Sequence, residues 1–391
     1  MTVTLTINGQ PVVAAEGSTI LEAARQVGIH IPTLCHHPDL TNVGACRMCV
    51  VSIEKARGVQ TACTTPIFEG MVVDTESEEA RQTRQFVLEM LLTDHPNACM
   101  TCEVNGDCEL QELAYAYNVA WPEHNGTRHT YPIDPDPNPF IFIDRNKCIL
   151  CSRCIRACDE VQNREVWSFA HRGFHSKLVA GADQFLLEAR CESCGQCVAY
   201  CPVGALYDKM SLGLARPNQV TKVRTTCAYC GVGCNFDLNV RDGKVVRITS
   251  TPHAPVNGLA LCVKGRYGYD YVHHPDRLTR PLVRAKWLEA GQLNQQVKDG
   301  AWQVVAIAEK RAQPAKNGDG PAITADTFIQ TDWDTALDVV AQKFTEEKKA
   351  HGGEALAVFA SAKCSNEENY LFNKFTRQVL GTNNIDHCAR L

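Results

Sequence analysis

Val3, Leu5 and Ile7 alternate with Thr2, Thr4 and Thr6, a two-residue period that predicts a strand over 3–7 with one face turned inward. Asn8-Gly9 is a two-residue hairpin signal, so a second strand is expected over 11–14. Thr19-Ile20-Leu21-Glu22 has the spacing of a capping box, which starts a helix that ends at Gly28. A helical period returns over 78–92, with Phe86, Met90 and Leu91 as its expected core positions. The run Pro132-Ile133-Asp134-Pro135-Asp136-Pro137-Asn138-Pro139 breaks any helix, and it reads as an extended boundary closing a connector over 113–138. Residues 211–219 read as a short linker. Strands are expected over 235–240 and 244–249 around Asp242-Gly243. A helix over 333–346, a strand over 355–360 and a helix over 366–380 open a βα unit, whose serine-bearing turn either meets a nucleotide-type phosphate or simply packs. Residues 286–330, rich in Gly, Gln, Asn and Ala, read as a surface insertion.

Composition narrows the class. At 391 residues, 45% hydrophobic and 21% charged, the chain has material for two to four domains. A net charge of −5 offers nothing to nucleic acid or anionic lipid, so neither is expected as a partner. No run of about 18 or more apolar residues exists, so no membrane span is expected. The first residues show no secretory signal and no twin arginine, and a cytoplasmic location is expected.

Cysteine changes the picture most. Nineteen of the twenty-one cysteines fall into five sets of four ligands, with one histidine as the twentieth ligand. A disulfide framework suits short secreted chains and does not suit this one. Zinc also accepts C-x2-C pairs, but two of the sets carry spacings found in ferredoxins. Iron–sulfur clusters are therefore expected. Cys35, Cys46, Cys49 and Cys63 resemble a plant-type 2Fe–2S module with a longer first gap, as in the large subunit of respiratory NADH dehydrogenase. His95, Cys99, Cys102 and Cys108 resemble the 4Fe–4S site of the same family that has one histidine and three cysteine ligands. Cys148-x2-Cys151-x2-Cys154-x3-Cys158 is echoed by Cys191-x2-Cys194-x2-Cys197-x3-Cys201-Pro202, the two-cluster bacterial ferredoxin signature. That signature implies crossed sets: Cys148, Cys151, Cys154 with Cys201, and Cys191, Cys194, Cys197 with Cys158. Asp159 stands where the first run usually has proline.

The fifth set is Cys227, Cys230, Cys234 and Cys262, followed by Lys264 and Arg266. Its spacing resembles the N-terminal domain of molybdopterin oxidoreductases. The stretches 227–234, 261–266, 362–370 and 381–391, together with the upstream modules, are similar to the catalytic α subunit of cytosolic NAD(P)-linked formate dehydrogenases. The resemblance implies an α+β multidomain fold. Its parts are a β-grasp 2Fe–2S ferredoxin module over 1–80, a one-histidine, three-cysteine 4Fe–4S module over 81–120, and a two-cluster ferredoxin module over 138–210. A molybdopterin-type 4Fe–4S domain over 223–280 and the start of a catalytic domain over 331–391 follow. It implies one 2Fe–2S cluster, four 4Fe–4S clusters and, in the complete protein, a molybdenum or tungsten bis(molybdopterin guanine dinucleotide). Lys264 would relay electrons between the fifth cluster and a pterin, with Arg266 also at the cofactor. The implied reaction is oxidation of formate to carbon dioxide, with flavin and iron–sulfur subunits that reduce NAD(P) as partners. In that family the residue after Cys388-Ala-Arg-Leu391 is the metal ligand, so the sequence is expected to be cut at a selenocysteine codon. Cys364 and Cys388 are left over. Two other readings share the upstream modules: a stand-alone iron–sulfur electron-transfer subunit, and a subunit of an electron-bifurcating hydrogenase or NADH dehydrogenase-type complex.

Overall fold

The N-terminal alternation folds as an antiparallel hairpin, β1 (Thr2–Ile7) on β2 (Gln10–Ala15), with Leu5 opposite Val12. Asn8 and Gly9 turn it at φ of 53° and 80°, the left-handed pair such a turn needs. α1 (Ile20–Gln26) carries both bonds of the Thr19–Glu22 capping box and buries Ile20, Leu21, Ala23 and Ala24. β3 (Val50–Ile53), β4 (Gln60–Thr61) and β5 (Val72–Asp74) complete a five-stranded sheet in the order β2-β1-β5-β3-β4, with β1 and β5 parallel. Leu5, Ile7, Val51 and Val73 meet α1 in its core. The computed structural model describes residues 1–119, 126–305 and 323–388. Two units are distinct in it: Met1–Cys227 with Gly233–Asp270, and Ala228–Val232 with Tyr271–Leu391.

α2 (Glu78–Asp94) corrects the expected face. Its buried positions are Ala80, Arg84, Leu88 and Leu92, while Phe86 and Met90 are exposed. The four share one stripe at i+4 spacing, and a charged residue in that stripe hid it from a search for apolar periodicity. α3 (Glu109–Ala116) occupies the start of the expected connector, of which 120–125 lie outside the described residues. The proline run is no free boundary. Asp136 and Asn138 are buried: Asp136 accepts from Leu186 N at 2.8 Å, and Asn138 donates to Ser193 Oγ at 2.8 Å. The run is a strap laid on the module that follows.

That module pairs β6 (Ile141–Ile143) with a later strand, and carries α4 (Arg153–Arg156), the hairpin β7 (Trp167–Ala170)–β8 (Lys177–Ala180), and α5 (Gln196–Ala199). β9 (Leu206–Asp208) closes it against β6. The expected linker over 211–219 is held in place, because Arg216 donates to Met100 O at 2.6 Å and Cys102 O at 3.0 Å. β10 (Thr221–Thr226), β11 (Asn235–Arg241) and β12 (Lys244–Thr249) form an antiparallel sheet, followed by α6 (Val263–Tyr267).

In the second unit, β13 (Leu282–Arg284), α7 (Ala290–Lys298), β14 (Gln303–Val305) and β15 (Phe328–Gln330) pack around Leu293, Trp302 and Ile329. The stretch read as a surface insertion thus contributes a small core, with 306–322 outside the described residues. α8 (Trp333–His351), β16 (Val358–Ser361), α9 (Asn366–Phe375) and β17 (Ile385–Cys388) follow, β16 and β17 being parallel. Residues 389–391, the end of the 381–391 motif, lie outside the described residues. Among the described residues no helix is long and apolar enough to cross a membrane.

Candidate iron–sulfur centres

The first set is gathered by the β3–β4 ladder. Cys49 precedes β3 and Cys63 follows β4, and Ala62 N donates to Cys49 O at 2.9 Å. Cys35 and Cys46 cross-bond, each backbone N–H donating to the other's sulfur at 3.4 and 3.5 Å, and Met48 N adds a third bond to Cys46. Backbone N–H groups turned on sulfur are what a thiolate-held anionic core requires. The Cys46 thiol, donating to Cys35, draws the Cys35 pKa down to about 5, with Arg156 a smaller contribution. The Cys49 thiol likewise lowers Cys63. Iron bound at these sulfurs would take the place of the thiol protons.

His95 sits where α2 ends, its N–H bonded to Leu91 O at 3.1 Å. Its Nδ1 lies 3.1 Å from Pro96 O, an acceptor only, so Nδ1 carries the proton. That leaves Nε2 with a free lone pair, buried and unpartnered among the described residues. Burial lowers the His95 pKa and keeps the ring neutral, the form that ligates metals. One cavity is lined by His95, Cys99 and Cys108 together with Leu92, Leu110 and Val119. Cys102 is not among its lining residues. Its sulfur faces Gly204, 2.9 Å from where a Cβ would lie, and its charge is felt at Cys108.

The internal repeat shows in the backbone. Leu150 and Ser152 in the first run, and Ser193 and Gly195 in the second, all have positive φ, between 54° and 74°. Alternating the left-handed and right-handed wells makes a concave nest of N–H groups, a form many iron–sulfur loops take. Cys148, Cys151, Cys154 and Cys201 line one cavity, so the fourth cysteine of the second run meets the first three of the first. Burial pushes Cys148 and Cys201 up to about 11 and Cys151 to about 12. Thiolates there are costly unless a metal takes the charge. Cys158 lies with the other three: burial raises Cys191 and Cys197, and the charges of Cys194 and Cys158 add to both.

In the first unit, Cys227 N donates to Cys234 O at 2.8 Å across the β10–β11 junction, and Cys262 caps α6, its sulfur 3.5 Å from Gly265 N. Cys230 lies on the loop 228–232 of the second unit. Lys264 is exposed. Arg266, expected at the cofactor, is buried and donates to Cys194 O at 3.0 Å and Leu259 O at 3.1 Å. In the second unit Lys363 lies over the Tyr229 ring at 5.8 Å, and the Ser365 hydroxyl accepts Glu368 N–H within a capping box. Ser365 therefore serves its own helix. Sequence reasoning missed Arg153 and Arg156, which lie between ligand cysteines of the first ferredoxin run. Their fixed offset from Cys151 and Cys154 was the available signal.

The donor sets fit iron–sulfur clusters: soft thiolates, one neutral imidazole, and N–H groups aimed at sulfur. Comparisons with known proteins agree along the chain. Residues 1–78 match the 2Fe–2S iron–sulfur cluster binding domain, 84–121 the NADH-ubiquinone oxidoreductase-G iron–sulfur binding region, and 138–207 the ferredoxin-like domain of NADH-quinone oxidoreductase subunit 3. Residues 220–274 match the molybdopterin oxidoreductase Fe4S4 domain and 277–391 the molybdopterin oxidoreductase domain. The NADPH-Fe(3+) oxidoreductase subunit alpha of Geobacter sulfurreducens is 34% identical over 389 residues, covering 100% of this chain and 40% of that protein. A G-type NADH-quinone oxidoreductase chain of Rhizobium meliloti is 34% identical over 388 residues, 99% of this chain and 40% of its own. A Staphylococcus haemolyticus protein named, provisionally, a formate dehydrogenase is 28% identical over 425 residues, 99% of this chain and 39% of its own. The chain thus spans about 40% of the length of these relatives. Stretches that match iron–sulfur modules thus run into stretches that match molybdopterin oxidoreductase domains, and the relatives include proteins of the NADH-quinone oxidoreductase G type.

Proposed function

We propose that this chain is the electron-transfer arm of a formate dehydrogenase α subunit. In that reading formate gives carbon dioxide, a proton and two electrons at a molybdenum or tungsten bis-pterin centre of the complete protein, and the acceptor is a flavin-bearing partner that reduces NAD(P). Cys35, Cys46, Cys49 and Cys63 would hold a 2Fe–2S cluster, and His95 with Cys99, Cys102 and Cys108 a 4Fe–4S cluster. The crossed ferredoxin sets and the set of Cys227, Cys230, Cys234 and Cys262 would hold three more. Bound clusters supply one-electron carriers; the chain's part is to hold them, bury them and fix their charge. The observation that carries the reading is the cavity shared by Cys148, Cys151, Cys154 and Cys201, because crossed ligation keeps two clusters within electron-exchange reach. Formate as substrate rests on the motifs of 227–234 and 362–370 and on the relative at 28% identity.

A second reading has support of its own, since the relatives at 34% identity are named for NADPH-Fe(3+) and NADH-quinone oxidoreduction. There NAD(P)H would be the donor and the chain would conduct in the opposite direction. The anaerobically purified full complex distinguishes them. Formate-dependent dye reduction together with molybdenum or tungsten supports the first. NAD(P)H-dependent reduction with no response to formate overturns formate as substrate and leaves the electron-transfer role standing.

A further inference from the structure

Four arginines among the described residues are buried to 7% exposure or less, and they fall into two kinds. Arg84 is paired with Glu76 at 3.1 Å, and Arg153 with Glu109 at 2.6 Å. Arg156 and Arg266 have no carboxylate within ion-pair distance among the described residues. Every acceptor that Arg156 uses is neutral: Cys35 O at 2.5 Å and Cys151 O at 3.3 Å from Nη2, Thr41 O at 2.6 Å from Nη1, and Ser152 Oγ at 3.3 Å from Nε. Arg266 donates to Cys194 O and Leu259 O, while its own N–H bonds Cys262 O at 3.0 Å.

A buried guanidinium without a counter-charge is costly, so an anion is called for beside Arg156, whereas the buried Asp208 carboxylate already lies within electrostatic reach of Arg266. The Arg156 guanidinium reaches carbonyls of ligand cysteines of two different sets, Cys35 and Cys151, whereas the Arg266 guanidinium reaches Cys194 O alone among ligand cysteines, its bond to Cys262 O being the backbone bond of the first turn of α6. A thiolate-ligated iron–sulfur core is anionic and gains one more negative charge on reduction. We propose that Arg156 is a positioning residue that serves as the shared counter-ion of the Cys35 and Cys148 clusters, holding the two modules at fixed spacing and raising both midpoint potentials. The inference rests on the cluster reading above. It goes further, in that a cation between two centres favours the reduced state of each and couples them, since reduction of one weakens its pull on the other.

The test is a mediated redox titration followed by paramagnetic resonance on the anaerobically purified full complex, with iron counted in parallel. Arg156→Gln removes the charge and is expected to shift the oxidised-to-reduced ratio of the 2Fe–2S centre and of one 4Fe–4S centre about tenfold toward oxidised. For a one-electron couple that is a fall of about 59 mV in each midpoint. Arg156→Lys keeps the charge on a shorter stem without the planar fork, so one midpoint falls and the other holds. Unchanged midpoints in Arg156→Gln with full iron overturn the proposal and leave the cluster reading intact. If Arg156→Gln loses iron, two unchanged midpoints in Arg156→Lys overturn it instead. Wild-type protein without iron or signal overturns the cluster reading itself.

Discussion

Arg84 Nη1 donates to the Tyr117 hydroxyl at 2.8 Å, and the arginine side chain has no solvent exposure. The same guanidinium donates through Nη2 to Val50 O at 2.7 Å and Thr75 O at 2.8 Å, and pairs with Glu76. One side chain thus ties the first sheet to α2 and to the turn after α3. Arg84→Met would leave two carbonyls and a hydroxyl buried without their donor. The expected loss is about 3–5 kcal/mol, the range for breaking a buried charged network. Denaturant titration of the holoprotein checks it, and a change below about 1 kcal/mol would show that water replaces the guanidinium freely.

Because α2 ends at His95, its imidazole is placed by a helix rather than by a loop. His95→Ala is expected to remove one cluster only, about four of about eighteen irons. His95→Cys should keep that cluster and lower its midpoint, because an anionic ligand replaces a neutral one. Iron analysis and redox titration of both variants decide the matter. Full iron in His95→Ala would remove the imidazole from the ligand set.

The sequence made some parts of this arrangement legible and hid others. Hairpins at Asn8-Gly9 and Asp242-Gly243 and the capping box at Thr19 were readable because each rests on a local backbone rule. The crossing of Cys201 to the Cys148 run was readable from a repeat. The buried stripe of α2 was not, because Arg84 occupies a core position only by virtue of Val50, Thr75 and Tyr117, which are remote in sequence. The proline strap was misjudged for the same reason: its buried Asp136 and Asn138 find partners at Leu186 and Ser193. Arg266 was expected at a cofactor from its place beside Lys264, and its contact with Cys194 depends on a fold that spacing alone does not describe.

Gly195 bears on that contact. Its φ is 74°, and a Cβ there would lie 2.4 Å from Arg266 Cδ and 2.5 Å from the Tyr267 hydroxyl. Gly195→Ala therefore adds left-handed strain to a steric clash, for an expected loss of about 2–5 kcal/mol. Since Cys194 is its neighbour, the Cys191 set should be the first to lose iron. Wild-type iron content and stability in this variant would mean that α6 yields easily.

Asp208 gives a pH signature. It is 2% exposed, and its Oδ1 accepts Met210 N–H at 2.9 Å while Oδ2 has no partner among the described residues. Burial pushes its pKa from 3.8 up to about 6, against the opposing pull of the Met210 N–H, Arg247 and Arg266. A carboxyl with a raised folded pKa is held ionised at a cost above pH 6. The cost shrinks as pH falls through 6 and is gone below about pH 4, where the unfolded chain is protonated too. The ionised group destabilises the fold by about 3 kcal/mol at pH 8 and by about half that at pH 5. Asp208→Asn keeps an oxygen for Met210 and removes the charge. Its stability relative to wild type should therefore fall by about 1–2 kcal/mol between pH 8 and pH 5. Any fixed cost of the amide displaces the whole curve without changing that slope. Denaturation midpoints of both proteins across this range give the slope, and a flat difference would mean that Asp208 titrates at an ordinary pKa.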